Sequence, residues 1–179
     1  MIEFINSIDS QIMLFVQEYI RNPVLSAIFV PLTRSGDGGI LLMIIGIVLT
    51  AIKKTRKTGI VFLVSLAAGY LINDIILKNI FERSRPFTSI EQLETLIRQP
   101  VSFSFPSGHT ATTFSCAVSL LYMNRRYGIF AIIYAVLMAF SRVYVGVHYP
   151  TDILCGAVVG ILTSTLVMFI FRRIWLKRS

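Results

Sequence analysis

Charge is scarce in this chain, and acid is scarcest of all. Only 15% of the 179 residues are charged, with 9 Asp and Glu against 17 Lys and Arg, where soluble domains carry about 25%. Hydrophobic residues make up 55% and the mean hydropathy is +0.73, which excludes disorder, a state that needs low hydrophobicity. A soluble domain of this size cannot hide so much apolar surface, so the solvent implied is lipid. Cysteine is nearly absent. Cys116 and Cys155 fall inside apolar runs and read as small packing residues, so no disulfide framework follows from them. No base precedes Arg21, although Glu3 and Asp9 do, so the basic region of a cleaved signal peptide is missing. Internal repeats, low-complexity tracts and linkers are also missing, which leaves one membrane-embedded domain over residues 1–179. The net charge of +8 excludes little by itself. Its bases sit in short clusters between apolar runs, with no basic face interleaved by aromatics, so nucleic acid is not an expected partner.

What is present is apolar sequence in blocks. Five runs, about 38–52, 59–80, 110–123, 127–145 and 153–171, reach or approach the roughly 20 residues a helix needs to cross a bilayer. The first and third need flanking residues for full length. The expected fold is all-α, a polytopic bundle of five or six transmembrane helices. Lys53, Lys54, Arg56 and Lys57 follow the first run, Arg125 and Arg126 separate the third from the fourth, and Arg172, Arg173, Lys177 and Arg178 close the chain. These clusters share one side when the runs alternate, and the positive-inside rule makes that side cytoplasmic. The connection 82–105 and the turn 146–151 then face outward. Asn22-Pro23 reads as a cap followed by proline at a first helical position. Before it, residues 5–20 mix Ile8, Ile12, Phe15 and Val16 with Asp9, Gln11, Gln17 and Glu18, which suits an amphipathic interfacial helix. Joined to 24–32, the same segment would instead make a kinked sixth span.

The remaining bases break the topological bias. Arg21, Arg34, Lys78, Arg83, Arg85, Arg98 and Arg142 lie mostly at or beyond the outer ends of runs, where ionisable groups need partners or a function. Lys78 ends the second run, Arg85-Pro86 follows it, and Arg142 lies near the outer end of the fourth. Ser107-Gly108-His109 opens the third run, and His148 and Asp152 flank the start of the fifth. Three separate regions therefore converge on one membrane face, and each suits an anion. Pro106-Ser107-Gly108 reads as a helix start with Ser107 as its cap, whose free N–H groups and dipole favour phosphate or sulfate. Lys78, Arg85 and Arg142 would surround the same anion. His148 and Asp152 share a face if the helix begins near His148, a register that Pro150 can shift. A carboxylate holding one imidazole nitrogen leaves the other free as nucleophile or base, and His109 is then the opposite acid–base partner. Plainer readings stand beside these. Lys78 pairs with Asp74 one turn back, and Arg83 and Arg98 are solvated loop charges or lipid-headgroup contacts. Asp152 is the only acid in this constellation, and no cluster has metal-ligand spacing, so neither metal nor cofactor is expected.

Lys78-x6-Arg85-Pro86, Pro106-Ser107-Gly108-His109 and Ser141-Arg142-x5-His148-x3-Asp152 together resemble the three-part signature of the type-2 phosphatidic acid phosphatase superfamily. The order and internal spacings match without departure, and the resemblance runs from about Gly36 to the C-terminus. It implies a membrane enzyme that hydrolyses a phosphate ester or diphosphate without metal. By matching position, His148 would form a phosphohistidine, oriented by Asp152, and His109 would protonate the leaving group. Lys78, Arg85, Ser107, Gly108 and Arg142 would hold the phosphoryl oxygens. Similar bacterial members act on undecaprenyl diphosphate, phosphatidylglycerophosphate or phosphatidate. The expected order here is a prenyl diphosphate first and a glycerophospholipid phosphate second, consumed at the outer face of the cell membrane. A non-catalytic lipid-phosphate binder, a transporter reusing the pocket, and a vanadate-dependent haloperoxidase are the competing classes. The last is soluble in known relatives, against five apolar runs here.

Overall fold

The structure, a computed structural model, describes residues 2–175; Lys177 and Arg178 of the last basic cluster lie outside the described residues. Helices are the only regular secondary structure among the described residues. Helix α1 (Ile2–Phe15) runs on into a π-helical turn (Val16–Ile20), followed by α2 (Pro23–Ser35), a short 3-10 turn (Asp37–Gly39) and α3 (Ile40–Ala51). Helix α4 (Arg56–Tyr70), a π-helical stretch (Leu71–Leu77) and α5 (Lys78–Phe81) are contiguous. A single turn, α6 (Pro86–Ser89), interrupts the long connection before α7 (Gly108–Met123), α8 (Arg125–Tyr144) and α9 (Pro150–Trp175). Asn22 caps α2 as its sequence predicts, its side chain accepting from the Leu25 N–H at 2.9 Å with Pro23 in the first turn. Asn124 caps α8 in the same way.

Three helical stretches are long and apolar enough to cross a bilayer, Arg56–Ser89, Arg125–Tyr144 and Pro150–Ile174, and α2 with α3, bent by 49°, make a fourth if taken as one broken span. Helix α7, at 16 residues, is about 24 Å long at 1.5 Å per residue, short of a hydrocarbon core of about 30 Å. It does not need to meet lipid all round, because α4, α8 and α9 pack around it. Its composition fits that place. Thr110, Ala111, Thr113, Ser115, Cys116, Ala117 and Ser119 are buried, while Ile133, Val136, Leu162 and Phe169 of the surrounding helices point outward. Lipid supplies no hydrophobic drive between helices, so small and hydroxyl side chains that allow close approach hold such bundles together. Gly160 shows the constraint, since a Cβ there would lie 2.4 Å from the Ala111 carbonyl oxygen.

The basic clusters and the signature residues occupy opposite ends. The Arg172 guanidinium stands 5.8 Å over the Tyr122 ring, joining the last turns of α9 and α7. At the other end, a second layer covers the helix starts. Met13 and Val16 from the N-terminal segment, Phe29 of α2, Ile90 and Leu93 of the long connection, and Tyr144, Val147 and Tyr149 form one buried cluster. Arg21 staples it with Nε on the Tyr144 carbonyl (2.8 Å) and Nη1 on the Glu94 carbonyl (2.7 Å).

Helix α1 departs from a simple amphipathic pattern. Ile5, Ile8, Ile12 and Phe15 are exposed, whereas Asp9, Met13 and Val16 face the protein and are buried. The acid expected on the polar, solvated side is therefore 1% exposed, and its partners lie at the site.

Candidate active site

The start of α9 builds the first element. Pro150 opens the helix, so His148 lies just outside it and Asp152 falls in its first turn. Asp152 Oδ2 accepts from the Tyr149 N–H at 2.9 Å, as an acid three residues after a cap does. That bond also aims the carboxylate at His148, whose Nδ1 is 3.3 Å from Oδ2. Pro150 thus shifts the histidine out of the helix without separating the pair. Ser104 Oγ donates to the same oxygen at 2.5 Å, and Asp152 is fully buried. Arg85 Nη1 lies 3.3 Å from His148 Nε2. Arginine only donates, so Nε2 is an acceptor and the proton sits on Nδ1, facing Asp152. Burial, reinforced by the Arg85, Arg142 and Lys78 charges, holds the His148 pKa well below the ordinary 6.5. The ring is neutral with its lone pair aimed into the cavity.

The cationic element surrounds that lone pair. Arg85 is anchored by Nε to the Ser102 carbonyl (2.7 Å) and Nη1 to the Val147 carbonyl (2.8 Å). Arg142, 2% exposed, gives Nη1 to Thr33 Oγ1 at 2.6 Å while its Nε is buried without a partner. Lys78 pairs with Asp74 at 2.6 Å, as the spacing predicts. Removing one partner of a buried pair typically costs about 3–5 kcal/mol, so Asp74 holds Lys78 in place whatever else it does. The π-helical stretch that carries Asp74 is tied to the start of α7 by Asn73 Nδ2 on the Pro106 carbonyl, 3.2 Å. π-Turns inside helices recur at functional sites. Gly108 is required beneath this pair, because a Cβ there would lie 2.4 Å from the Asp74 carboxylate.

Ser107 corrects the sequence reading. It occupies the cap position of α7 but makes no side-chain capping bond. Its hydroxyl accepts from Thr110 Oγ1 at 3.0 Å instead, and its N–H donates to the Asp152 carbonyl at 3.1 Å. Ser107 is fully buried and ties the start of α7 to that of α9. The first intrahelical bond runs from Ala111 N to Ser107 O, which leaves the N–H groups of Gly108, His109 and Thr110 for an anion.

Two cavities meet at His109. A polar one of about 500 Å³ is lined by Lys78, Arg85, Arg142, His148 and His109, with Arg34 and Arg98 among the remaining residues. An apolar one of about 530 Å³ is lined by Met43, Leu63, Leu66, Ala67 and Tyr70, with Gly108 at the join. Both include His109 and Asp74.

Sequence alone misplaced Arg83 and missed two acids at the site. Arg83, expected in solvent, gives Nη1 to Asp152 Oδ1 and Nη2 to Asp9 Oδ2, both at 2.7 Å. Arg98 is exposed, as expected, and also lines the polar cavity. Asp152 is not the only acid, since Asp37 Oδ1 lies 3.0 Å from His109 Nε2 and Asp74 also faces the cavity. The His109 hydrogen bond lowers the Asp37 pKa and keeps it a carboxylate. These partners sit tens of residues away in the chain, and no spacing rule reaches that far.

The chain resembles known proteins over most of its length. Residues 58–176 match the model of the PAP2 superfamily. An undecaprenyl-diphosphatase from Sulfolobus acidocaldarius is 36% identical over 115 residues, 64% of this chain and 55% of that protein. An undecaprenyl-diphosphatase from Bacillus subtilis is 34% identical over 146 residues, 82% of this chain and 75% of its own length. The crystal structure of a transmembrane PAP2-type phosphatidylglycerolphosphate phosphatase from Bacillus subtilis superposes with a TM-score of 0.77 at 31% identity, covering 94% of this chain and 87% of that one.

Proposed function

The chain belongs to the PAP2 superfamily, and from that premise we propose that it is an integral membrane lipid phosphatase that works without metal and forms a phosphohistidine on His148. One observation carries the lipid reading: the polar cavity lined by Lys78, Arg85, Arg142 and His148 shares His109 and Asp74 with an apolar cavity of similar volume. The headgroup lies among Lys78, Arg85 and Arg142, the lipid chain lies against Met43, Leu63 and Leu66, and the bond to be broken lies at the join.

Nε2 of His148 attacks phosphorus in line with the leaving oxygen. As the P–N bond forms, the ring becomes cationic, and Asp152 stabilises the Nδ1–H it already faces. The P–O bond to the leaving group breaks, an alkoxide from a lipid monoester or a lipid phosphate from a diphosphate, and His109 delivers a proton to the departing oxygen. His109 then takes a proton from water, which attacks the phosphohistidine and releases inorganic phosphate. Arg85, Arg142 and Lys78 carry the charge on the equatorial oxygens, which is most of what phosphoryl transfer asks of a protein. Arg34 and Arg98 line the same cavity, and their side chains make no hydrogen bond among the described residues. They supply charge for a second phosphate, which supports a prenyl diphosphate ahead of a glycerophospholipid monoester. Detergent-solubilised protein offered a panel of both in EDTA is expected to release phosphate from each, fastest from the diphosphate, and to be inhibited by vanadate. Activity lost in chelator and restored by magnesium would overturn metal independence, and a panel without turnover would leave the binder or transporter reading.

The site faces outward. The support is the basic residues after α3, between α7 and α8 and at the end of α9, set against signature residues at the other end. Ser89, exposed on α6, reports this: Ser89→Cys is expected to react with an impermeant thiol reagent in intact cells. Labelling only after permeabilisation would reverse the orientation.

A further inference from the structure

We propose that Arg83 and Asp9, which lie outside all three signature blocks, are positioning residues for the nucleophile, so that helix α1 belongs to the catalytic apparatus. The inference rests on the phosphohistidine reading above. Arg83 stands at the centre of a clamp on the first turn of α9. Its Nη1 donates to Asp152 Oδ1 and Thr151 Oγ1, each at 2.7 Å, and its Nη2 to Asp9 Oδ2 at 2.7 Å and Asn6 Oδ1 at 2.9 Å. The guanidinium also lies 4.0 Å over the Tyr149 ring. From α1, Asp9 Oδ1 accepts the Thr151 N–H at 3.1 Å, and Asp9 Oδ2 accepts from the Thr151 hydroxyl. Both carboxylates are buried, at 1% exposure for Asp9 and 0% for Asp152.

The division of oxygens on Asp152 gives this clamp its consequence. Oδ2 receives Ser104, the Tyr149 N–H and His148, and Oδ1 receives Arg83. Arg83 therefore sets the rotation of the carboxylate and hence which oxygen meets the imidazole. Charge balance points the same way. Asp9, Asp152 and Arg83 sum to one negative charge, which the imidazolium formed on attack neutralises. The net negative charge of these three groups stabilises the positive ring formed on attack more than the neutral resting ring. Asp9 holds Arg83 from the far side and prevents it from collapsing onto Asp152 alone.

The test compares wild type, Arg83→Gln, Arg83→Lys, Asp9→Asn and His148→Ala as full chains in detergent, on a short-chain lipid phosphate, measuring kcat, KM, thermal stability and the pH profile of kcat/KM. Arg83→Gln is expected to lower kcat roughly 10–100-fold, the usual cost of losing an outer partner of a functional histidine, with KM changed less than about threefold. Its acid limb should move to higher pH. Asp152 faces Arg83, Arg85, His148, Tyr149, Cys155 and Asp9, and His148 faces Arg85, Arg142, Lys78 and His109. Removing the Arg83 cation from this set favours the protonated forms of both. Asp9→Asn, nearly isosteric, should lower kcat while moving the acid limb the other way, and Arg83→Lys should recover part of the loss. A purely structural clamp would lower the folded fraction and leave the pH profile where it was. An unmoved acid limb in both variants, or a kcat loss fully matched by lost folded protein, overturns the proposal. Turnover surviving in His148→Ala would defeat the phosphohistidine reading itself. A dead His148→Ala beside wild-type behaviour in Arg83→Gln and Asp9→Asn would defeat only this inference.

Discussion

His148→Ala is expected to abolish both turnover and the covalent phosphoenzyme, a loss on the order of 10⁶-fold if His148 is the attacking group, the scale seen when a hydrolase loses its activated nucleophile. The geometry supports that role. Its Nδ1 faces Asp152, its Nε2 faces the cationic cavity, and burial among cations keeps it unprotonated. A nucleophile with a pKa below 6.5 loses its lone pair only under more acidic conditions. The acid limb of kcat/KM for the wild type should therefore fall below pH 6.5 and not at it. Labelled substrate quenched at alkaline pH should show an acid-labile, base-stable phosphoenzyme in wild type and none in His148→Ala. Acid-stable phosphate incorporated by the variant would point to a different nucleophile.

His109→Ala should produce a loss that depends on what departs. General acid assistance is worth about 10²–10⁴-fold, and its value grows with the basicity of the leaving oxygen. A lipid monoester expels an alkoxide and should lose nearly the full factor. A prenyl diphosphate expels a phosphate, a better leaving group, and should lose less. An aryl phosphate, whose phenol is already acidic, should lose least. The position of His109 where the two cavities join fits this order. Asp37, 3.0 Å from its Nε2 and 63% exposed on its side chain, holds the ring from the solvent side. Equal losses on all three substrates would remove His109 from proton transfer and leave it a phosphate ligand. Phosphoenzyme lost in His109→Ala and kept in His148→Ala would exchange the two roles.

Sequence and structure divide this protein at a physical boundary. Hydropathy is a property of each helix against its solvent, so the apolar runs, the basic clusters and the Asn22 and Asn124 caps follow from local chemistry. Spacing within one turn is equally local, which is why Lys78–Asp74 and His148–Asp152 are legible as pairs. Their convergence follows from alternation alone: runs that reverse direction bring the end of α5, the start of α7, the end of α8 and the start of α9 to one side. The start of α7 is where local reasoning fails first. The pattern before Gly108 marks a helix start, but Thr110 takes the Ser107 hydroxyl in a contest the sequence does not display.

The sequence by itself determined an all-helical membrane bundle and nominated eight residues for one anion site, because each reading rests on composition, turn spacing or the signs of nearby charges. The tertiary structure alone decided what holds those residues. Asp9 to Arg83, Thr33 to Arg142, Asp37 to His109 and Ser104 to Asp152 span 74, 109, 72 and 48 residues of chain. A charge at such separation carries no mark of its partner, so Arg83 reads as a loop cation and Asp9 as the wet side of a surface helix. Only when the outer layer folds over the helix starts is water removed from Asp9, Thr33 and Ser104. In that low-dielectric setting an unpartnered charge or polar group is costly, and the fold sets a hydrogen-bond partner against each.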